Sequence, residues 1–262
     1  MPYYTFRINS TEKNVLTKTF NTRDYFDLHF LLAGQDFIGV DLFCEAKFKE
    51  YTKNDTQLNC FDKFLYLFSQ KVVSHESDIS IVQTINEEKT TKIISLAKIY
   101  NEICDLKFKT RDVFVEGDLR LEFGIPNNLS DKRNVVFYDL ELKNNKIENI
   151  TDYDLTTLSF LPVKLYKQIS QLQQSNNKNI ASEYFYTCFL RDLSFDTETF
   201  LYMLNFIFNE NVSNFYDLAF KLNKDFHVNY SYIDTITMRE LSLLTETINK
   251  SIKDKKNKSD YE

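Results

Sequence analysis

Glycine, proline and tryptophan are scarce or absent in this chain of 262 residues, which holds four glycines, three prolines and no tryptophan. Glycine lets a backbone approach a ligand closely or take a positive φ angle, and phosphate-binding loops depend on both properties. The glycines are Gly34, Gly39, Gly117 and Gly124, so neither a GxGxxG loop nor a Walker-type loop is present. The sequence therefore excludes the common loop-based nucleotide sites.

Histidine and cysteine are also few, and their spacing matches no familiar metal site. His29, His75 and His227 form no HxH, HxxxH or HExxH pattern, and zinc ligands usually occur at such spacings. The cysteines form no CxxC pair, and we expect buried thiols in a reducing compartment; they are Cys44, Cys60, Cys104 and Cys188. We predict no metal, no cofactor and no catalytic residue, and leave open whether the three histidines converge in space.

A secretion signal, a membrane span and an excess of basic residues are missing as well. The N-terminus MPYYTFRINS has no basic region followed by an apolar one. The apolar run FLYMLNFIFN is far shorter than the roughly 20 residues that cross a bilayer. The net charge is −6, whereas nonspecific nucleic-acid binding needs a basic face. The runs KFKEYTKN and KDKKNKS are short and offset by acidic neighbours. We predict a cytosolic protein, or one assembled from the cytosol into something larger, that does not bind nucleic acid.

The hydrophobic pattern of residues 1–150 predicts helices packed on an antiparallel sheet. Hairpins are predicted where polar residues separate 3–8 from 14–20, and DISIVQTIN from TTKIISLAK. Helices are predicted from residue 21 or 22 to Gly34, around 40–53 and around 58–73. Further strands fall within 106–123 and 135–150, with a tight connection at Gly117-Asp118 and a turn at Asn144-Asn145. The candidate inward residues are Leu106, Phe108, Val113, Val115, Leu119, Leu121 and Phe123.

The remainder of the chain has a helical pattern. Helices are predicted at roughly 153–173, 180–192, 196–209, 213–224 and 235–252, with a polar loop QLQQSNNKN at 171–179. The chain is thus divided into a mixed domain (1–150), a helical region (151–252) and a charged tail (253–262) that we expect to fray. The predicted fold class is α+β.

The run LNCFDKFLYLFSQKVVSHESDISIV, residues 58–82, is the most organised passage. We predict an amphipathic helix that covers a core. Its apolar stripe comprises Phe61, Phe64, Leu65, Phe68 and Val72, and the residues mostly opposite are Asp62, Lys63, Tyr66, Ser69 and Gln70. Ser74-His75-Glu76 follows, and a catalytic interpretation makes His75 a general base oriented by a carboxylate. Because no nucleophile motif accompanies it, we favour a helix end, with His75 near the negative end of the helix dipole.

The segment FYDLELKNNK carries the strongest candidate for an enzyme. Asp139, Glu141 and Lys143 alternate on a predicted strand, and many Mg²⁺-dependent nucleases place an acidic residue before Glu-x-Lys on a hairpin. Asp118 or Asp131 would supply a further acid. The alternative is the solvent-facing side of a strand, where alternating charges are common. A nuclease is therefore our second hypothesis.

Three segments together resemble the baseplate hub assembly family of contractile-tailed, T-even-like bacteriophages. They are KTFNTRDYFDLHFLL (18–32), CFDKFLYLFSQKVVSHESDISI (60–81) and VFVEGDLRLEFGIP (113–126). The abundance of Phe, Tyr, Asn and Lys also indicates an AT-rich genome, which many phages have. The resemblance implies a non-enzymatic role in assembling the hub of a phage tail, in the host cytoplasm, with or without retention in the finished virion. It supplies no catalytic residue.

Protein–protein contacts are the function that this resemblance and the aromatic content favour together. The chain has 24 Phe and 16 Tyr residues, and aromatic side chains dominate buried contact energy. The segment 200–220 is more apolar than a small monomer needs, so we expect part of it to be covered by another tail or baseplate subunit or by a second copy. The candidate interaction residues are Phe200, Tyr202, Phe206, Phe208, Phe215 and Tyr216.

Overall fold

A computed structural model describes residues 2–75, 78–85, 88–106, 108–143, 145–147, 162–180, 196–209 and 212–259. The strands are β1 Tyr3–Ile8, β2 Lys13–Lys18, β3 Asp78–Ile85, β4 Glu88–Ser95, β5 Arg111–Glu116, β6 Leu119–Gly124, β7 Val136–Leu142 and β8 Asn145–Ile147. The helices are α1 Thr22–Ala33, α2 Phe37–Thr52, α3 Cys60–Ser74, α4 Leu96–Asp105, α5 Val163–Ile180, α6 Thr197–Ile207, α7 Val212–Phe226, α8 Tyr230–Ile233 and α9 Met238–Ser259. All strand pairs are antiparallel, and the predicted α+β class is confirmed.

The helices of the first half begin where the sequence places polar side chains that can cap them. Asn21 and Asp24 form a reciprocal capping box at α1, and Asn59 accepts the backbone N–H of Asp62 at α3. Such caps satisfy N–H groups that have no partner inside the helix. Gly34 ends α1 as predicted, and His75 is the residue that follows the last turn of α3.

Helix α3 is a central helix, which corrects the expectation that it covers a core with one face. Its apolar stripe is buried as predicted except for half-buried Val72. The polar residues opposite are buried too; they are Asp62, Lys63, Tyr66, Ser69 and Gln70. The β1–β2 hairpin and α2 supply their partners. The Gln70 amide accepts from Phe20 N at 2.8 Å and donates to Lys18 O at 3.0 Å. Asp62 accepts from Asn9 N at 2.8 Å. Burial is tolerated because these polar atoms are hydrogen-bonded.

The main sheet has the order β5-β6-β7-β8 and packs one face on α5. Gly117 has φ +59 in the two-residue connection after β5, so Glu116 pairs with Leu119 and Phe114 with Leu121. Directly opposed residues share a face in an antiparallel pair. Leu121 and Phe123 face inward as predicted, and Phe114 joins them. The inward assignment of Val113 and Val115 is wrong, since Val115 is 65% exposed.

We expect two substitutions in β5 to show which face of this strand is inside. Phe114→Leu should lower the free energy of unfolding by about 1–1.5 kcal/mol, because the packing on α5 changes shape. Val115→Thr should change it by less than about 0.5 kcal/mol, because the side chain is in water. Urea unfolding followed by circular dichroism measures both. Equal losses for the two variants would contradict the register.

Helix α5 corrects a second expectation, since residues 171–179 were predicted as a loop but belong to this helix. Leu172 and Asn176 are buried, and the Asn176 amide accepts from Lys109 N and donates to Lys109 O, both at 3.1 Å. The side chain of Asn176 thus links α5 to the backbone just before β5. Five features lie outside the described residues: residues 181–192 of the predicted helix 180–192, the first part of 153–173, Cys188, Glu76 and Asn144.

The sequence pattern does not predict helix α4, because TTKIISLAK has the pattern of a single strand. The strand ends at Ser95, and Leu96, Ile99 and Ile103 form the buried stripe of a helix that begins directly after it. The core also crosses residue 150, because α6 contributes to the same hydrophobic cluster as α1, α2 and α3. Helices α7, α8 and α9 form a separate cluster, and α9 continues through the charged segment to Ser259.

Candidate interaction site

Helix α6 has one face in the core and the other along a cleft. The inward face includes Phe200, which stacks on Phe64 with ring centroids 5.0 Å apart, and Phe208, whose carbonyl lies 2.8 Å from Nδ1 of His29. The other face lines two adjoining cavities that share Tyr202 and Asn205. We call this surface the α6 cleft; its residues on α6 and at the helix ends include Glu198, Leu201, Tyr202, Asn205, Phe206 and Asn209.

The α6 cleft has two parts of different chemistry. The part near the C-terminal end of α6 has a volume of about 350 Å³ and is bordered by His29, Leu32 and Ala33 of α1. The part near the N-terminal end has a volume of about 700 Å³, and its opposite wall contains Phe37 and the segment 129–134. Apolar side chains thus lie at the base of both parts. Volumes of this size are typical of ligand sites in proteins.

A buried ion pair holds residues 128–130 in place, and residues 129 and 130 belong to the wall of the cleft. The ammonium group of Lys63 donates to Asp41 Oδ1 at 3.1 Å, to Glu45 Oε1 at 2.6 Å and to Asn128 Oδ1 at 2.9 Å. Asp41 in turn accepts the backbone N–H groups of residues 129 and 130, each at 2.8 Å. Residues 128–130 are therefore tied to α2 and α3 through charged hydrogen bonds, which are stronger than neutral ones.

Several polar side chains of the cleft are available to a ligand. Within the part of the chain that the structure describes, the side chains of Gln35, Asn134, Asn205 and Asn209 have no intramolecular hydrogen-bond partner. Each amide offers two donor hydrogens and one acceptor oxygen. By contrast, the carboxylate of Asp196 is occupied, because it caps α6 by accepting from Thr199 N at 2.7 Å. The cleft therefore presents mainly neutral amides above an apolar base.

A second surface is formed by exposed aromatic rings of α1 and α7. Phe26 packs on Phe215 and Tyr216 with ring centroids 3.9 Å and 6.1 Å apart. Phe30 is one turn beyond Phe26 on α1, and Phe220 is one turn beyond Tyr216 on α7, so each lies on the same side of its helix as a residue of this contact. Phe30, Tyr216 and Phe220 are 51%, 54% and 56% exposed. We call these three residues the aromatic face.

The six aromatic residues that we selected as interaction candidates fall into three places. Phe200 and Phe208 belong to the core, although Phe208 also borders the α6 cleft. Tyr202 and Phe206 line the α6 cleft. Phe215 and Tyr216 pack on Phe26, with Tyr216 at the surface. The helical spacing of Glu198, Tyr202, Asn205 and Asn209 could have indicated the cleft, but an apolar helix with a polar stripe has many explanations.

The three histidines occupy separate structural positions. His75 follows the last turn of α3 and stacks on Tyr25 with ring centroids 5.6 Å apart, which agrees with a helix end. His29 lies at the cleft, and His227 is an exposed residue with φ +55 directly after α7. Among the described residues, no group of three His, Cys, Asp or Glu side chains could hold a metal ion.

The nuclease residues lie on the outer face of the sheet. Asp139 pairs with Lys146 at 3.4 Å, and Glu141 is in register with Arg120 and Lys146. Lys143 is past the end of β7, with φ +48, so it does not continue the alternation. Asp131 is bound by Arg133 at 2.6 Å. These contacts are those of a charged, solvent-facing sheet, and they give the nuclease hypothesis no geometric support.

Three cysteines are free thiols, and Cys44 and Cys60 are buried. Burial raises the pKa of all three thiols above the ordinary value. A thiolate is the reactive form of cysteine, so burial disfavours the reactive form of these three residues.

Comparison of the chain with protein-family models, curated proteins and solved structures gives no match. The resemblance to the baseplate hub assembly family therefore stays a prediction. Within the described ranges, no helix combines the length and the apolar character that crossing a membrane requires.

Proposed function

We propose that this protein is a non-enzymatic assembly or structural protein of a contractile phage tail, and that it binds partner proteins of the baseplate hub. The observation that supports the binding role is the aromatic face. The phage assignment rests on the resemblance of residues 18–32, 60–81 and 113–126 to the hub assembly family. The protein would act in the host cytoplasm during assembly.

The aromatic face has the properties of an interaction surface. An aromatic side chain buries roughly 150–250 Å² when it is covered, and exposed neighbouring rings forgo that gain in the monomer. Tyr216 packs on the rings of Phe26 and Phe215, and the ammonium group of Lys224 lies 5.7 Å from the centre of the Phe220 ring. The positions of these two rings are therefore restricted before a partner arrives. Preorganised aromatic anchors are the usual hot spots of protein interfaces.

Substitution of two residues of the aromatic face tests whether this surface binds a partner. The full chain carrying Tyr216→Ser and Phe220→Ser is co-expressed with tail-tube, tape-measure and baseplate proteins and then purified by affinity. We expect the unmodified chain to capture one of these proteins, and the double variant to bind it at least roughly 30-fold more weakly, because two hot-spot rings are lost. Both substitutions are at the surface, so melting temperatures should stay close together.

Tyr3→Ser is the matched control, because Tyr3 is an aromatic residue that is 56% exposed but lies on β1. This variant should capture the partner as well as the unmodified chain. Capture of no tail protein, or equal capture by the double variant, would contradict the proposed function. Size-exclusion chromatography of the chain mixed with each tail protein provides a second check. Elution of the chain as a free monomer in every mixture would also contradict the proposed function.

A further inference from the structure

We propose that the α6 cleft binds an extended, uncharged peptide segment of a partner protein, an inference that rests on the proposed function and deepens it. The cleft and the aromatic face are formed by different residues. A partner could therefore contact the aromatic face with a folded surface and place a terminal or loop segment in the cleft.

The shape of the cleft fits a short extended chain. Cleft residues occur from Asp196 to Asn209, so the cleft follows the whole of α6, whose 11 residues span roughly 16 Å. An extended peptide advances about 3.3 Å per residue, and four or five residues would occupy this length. The two parts of the cleft share Tyr202 and Asn205, so they adjoin each other along α6.

The hydrogen-bonding groups of the cleft match a peptide backbone. Gln35, Asn134, Asn205 and Asn209 each present a donor and an acceptor, and an extended chain exposes one N–H and one C=O for every residue. A bound helix would offer fewer such groups, because its backbone is already paired internally. The chemistry of the side chains therefore favours an extended ligand.

The remaining lining favours a ligand without charge. Lys132 and Glu198 are both exposed at the wider part and carry opposite charges, and the carboxylate of Asp196 caps the start of α6, where the helix dipole offsets its charge. Leu32 and Phe206 in one part, and Phe37 and Leu201 in the other, provide apolar contacts for side chains. Burial of an unpaired charge against such a surface is costly. One lysine is also too little for a nucleic-acid or phosphate ligand.

A peptide library provides a probe that needs no knowledge of the partner. A phage-displayed library of random 12-residue peptides is selected on the full chain, with the Asn205→Leu variant used to remove peptides that bind elsewhere. A selected peptide is then synthesised with a fluorophore and titrated by fluorescence anisotropy. We expect a core of four or five residues without Lys, Arg, Asp or Glu, and at least about tenfold weaker binding to Asn205→Leu, since a peptide group loses its amide partner.

Asn101→Leu is the control, because Asn101 is an exposed asparagine in helix α4 and should leave the affinity unchanged. Asn209→Leu is a second cleft variant that should weaken binding if Asn205→Leu unfolds the protein. No enrichment of any peptide, or equal affinity for the cleft variants, would overturn the inference. An oligosaccharide on a glycan array that binds the chain but not Asn205→Leu would assign the cleft to sugars instead.

The outcomes for the two proposals are separable. The double variant Tyr216→Ser and Phe220→Ser should still bind the selected peptide, because the cleft is unchanged. If tail proteins are captured but no peptide binds, the cleft inference fails alone. If a peptide binds and no tail protein is captured, the proposed function fails alone.

Discussion

Replacement of Lys63 by methionine should lower the free energy of unfolding by about 3–5 kcal/mol, because it leaves buried Asp41 without its countercharge. The side chain of Lys63 is fully buried and that of Asp41 nearly so. Asp41 would keep the N–H groups of Leu129 and Ser130, but its buried carboxylate would lose the ammonium group beside it. Urea unfolding at pH 7 measures the loss.

The pH dependence of this pair follows from the pKa of Lys63. Burial lowers this pKa, but the charge of Asp41 and the hydrogen bond to Glu45 raise it further, so the result lies above the ordinary value. A raised pKa in the folded state means that the stabilisation is complete below the unfolded pKa of about 10.4. It is lost only as the pH rises through the folded value. The difference between Lys63→Met and the unmodified chain should therefore be constant from about pH 6 to 9.

Lys49→Met is the control for this experiment. Lys49 pairs with Asp55 at 2.6 Å, but both side chains are more than 70% exposed, and such surface pairs contribute little to stability. If Lys63→Met costs no more than Lys49→Met, Lys63 and Asp41 are not a buried pair. A companion variant with Lys63→Met and Asp41→Asn should recover part of the stability, because the unpaired charge is removed.

Replacement of Gly124 by alanine should lower the free energy of unfolding by at least about 3 kcal/mol, because the added methyl group has no room. A Cβ at this position would overlap the carbonyl oxygen of Thr110 and lie 3.0 Å from Cα of Arg111. Both are backbone atoms of the chain that pairs with β6, and Ile125 N donates to the same carbonyl at 3.0 Å. The strands would have to separate. Thermal and urea unfolding would both record the change.

Gly34→Ala serves as the comparison for this substitution. Gly34 follows α1 with φ −77, a value that alanine adopts readily, and its nearest neighbour would be Phe30 O at 3.1 Å. We expect a change within about 1 kcal/mol. A Gly124→Ala variant as stable as Gly34→Ala would show that β5 and β6 approach each other less closely than described.

Part of this structure could be read from the residues because the interactions that produce it are local. Asn21, Asp24 and Asn59 cap helices within a few residues of themselves. The two-residue Gly117-Asp118 connection fixes the register of β5 against β6, and this register places Phe114 opposite Leu121 on the inward face. The choice of Val113 and Val115 as inward residues was wrong because their alternation was considered without the pairing that this turn imposes.

The missed features depend on partners far away in the chain. The polar face of α3 is buried because Phe20, Lys18 and Asp41 provide hydrogen bonds from other elements. Residues 171–179 are helical because Leu172 packs under the sheet and Asn176 binds Lys109. In both cases the polarity of the side chains alone predicts that they face solvent. A polar group can be buried only where the folded chain supplies a hydrogen-bond partner for it.

By itself, the sequence determined the α+β class, the position of most helix starts in the first half, and the absence of phosphate loops and clustered zinc motifs. These are matters of local propensity, capping and spacing. The tertiary structure alone decided which aromatic residues of 200–216 are core and which are surface, because Phe200 and Tyr202 differ in what the fold brings against them and not in their local pattern. It also decided that Gln35, Asn134, Asn205 and Asn209, which belong to three distant segments of the chain, line the two adjoining parts of one cleft.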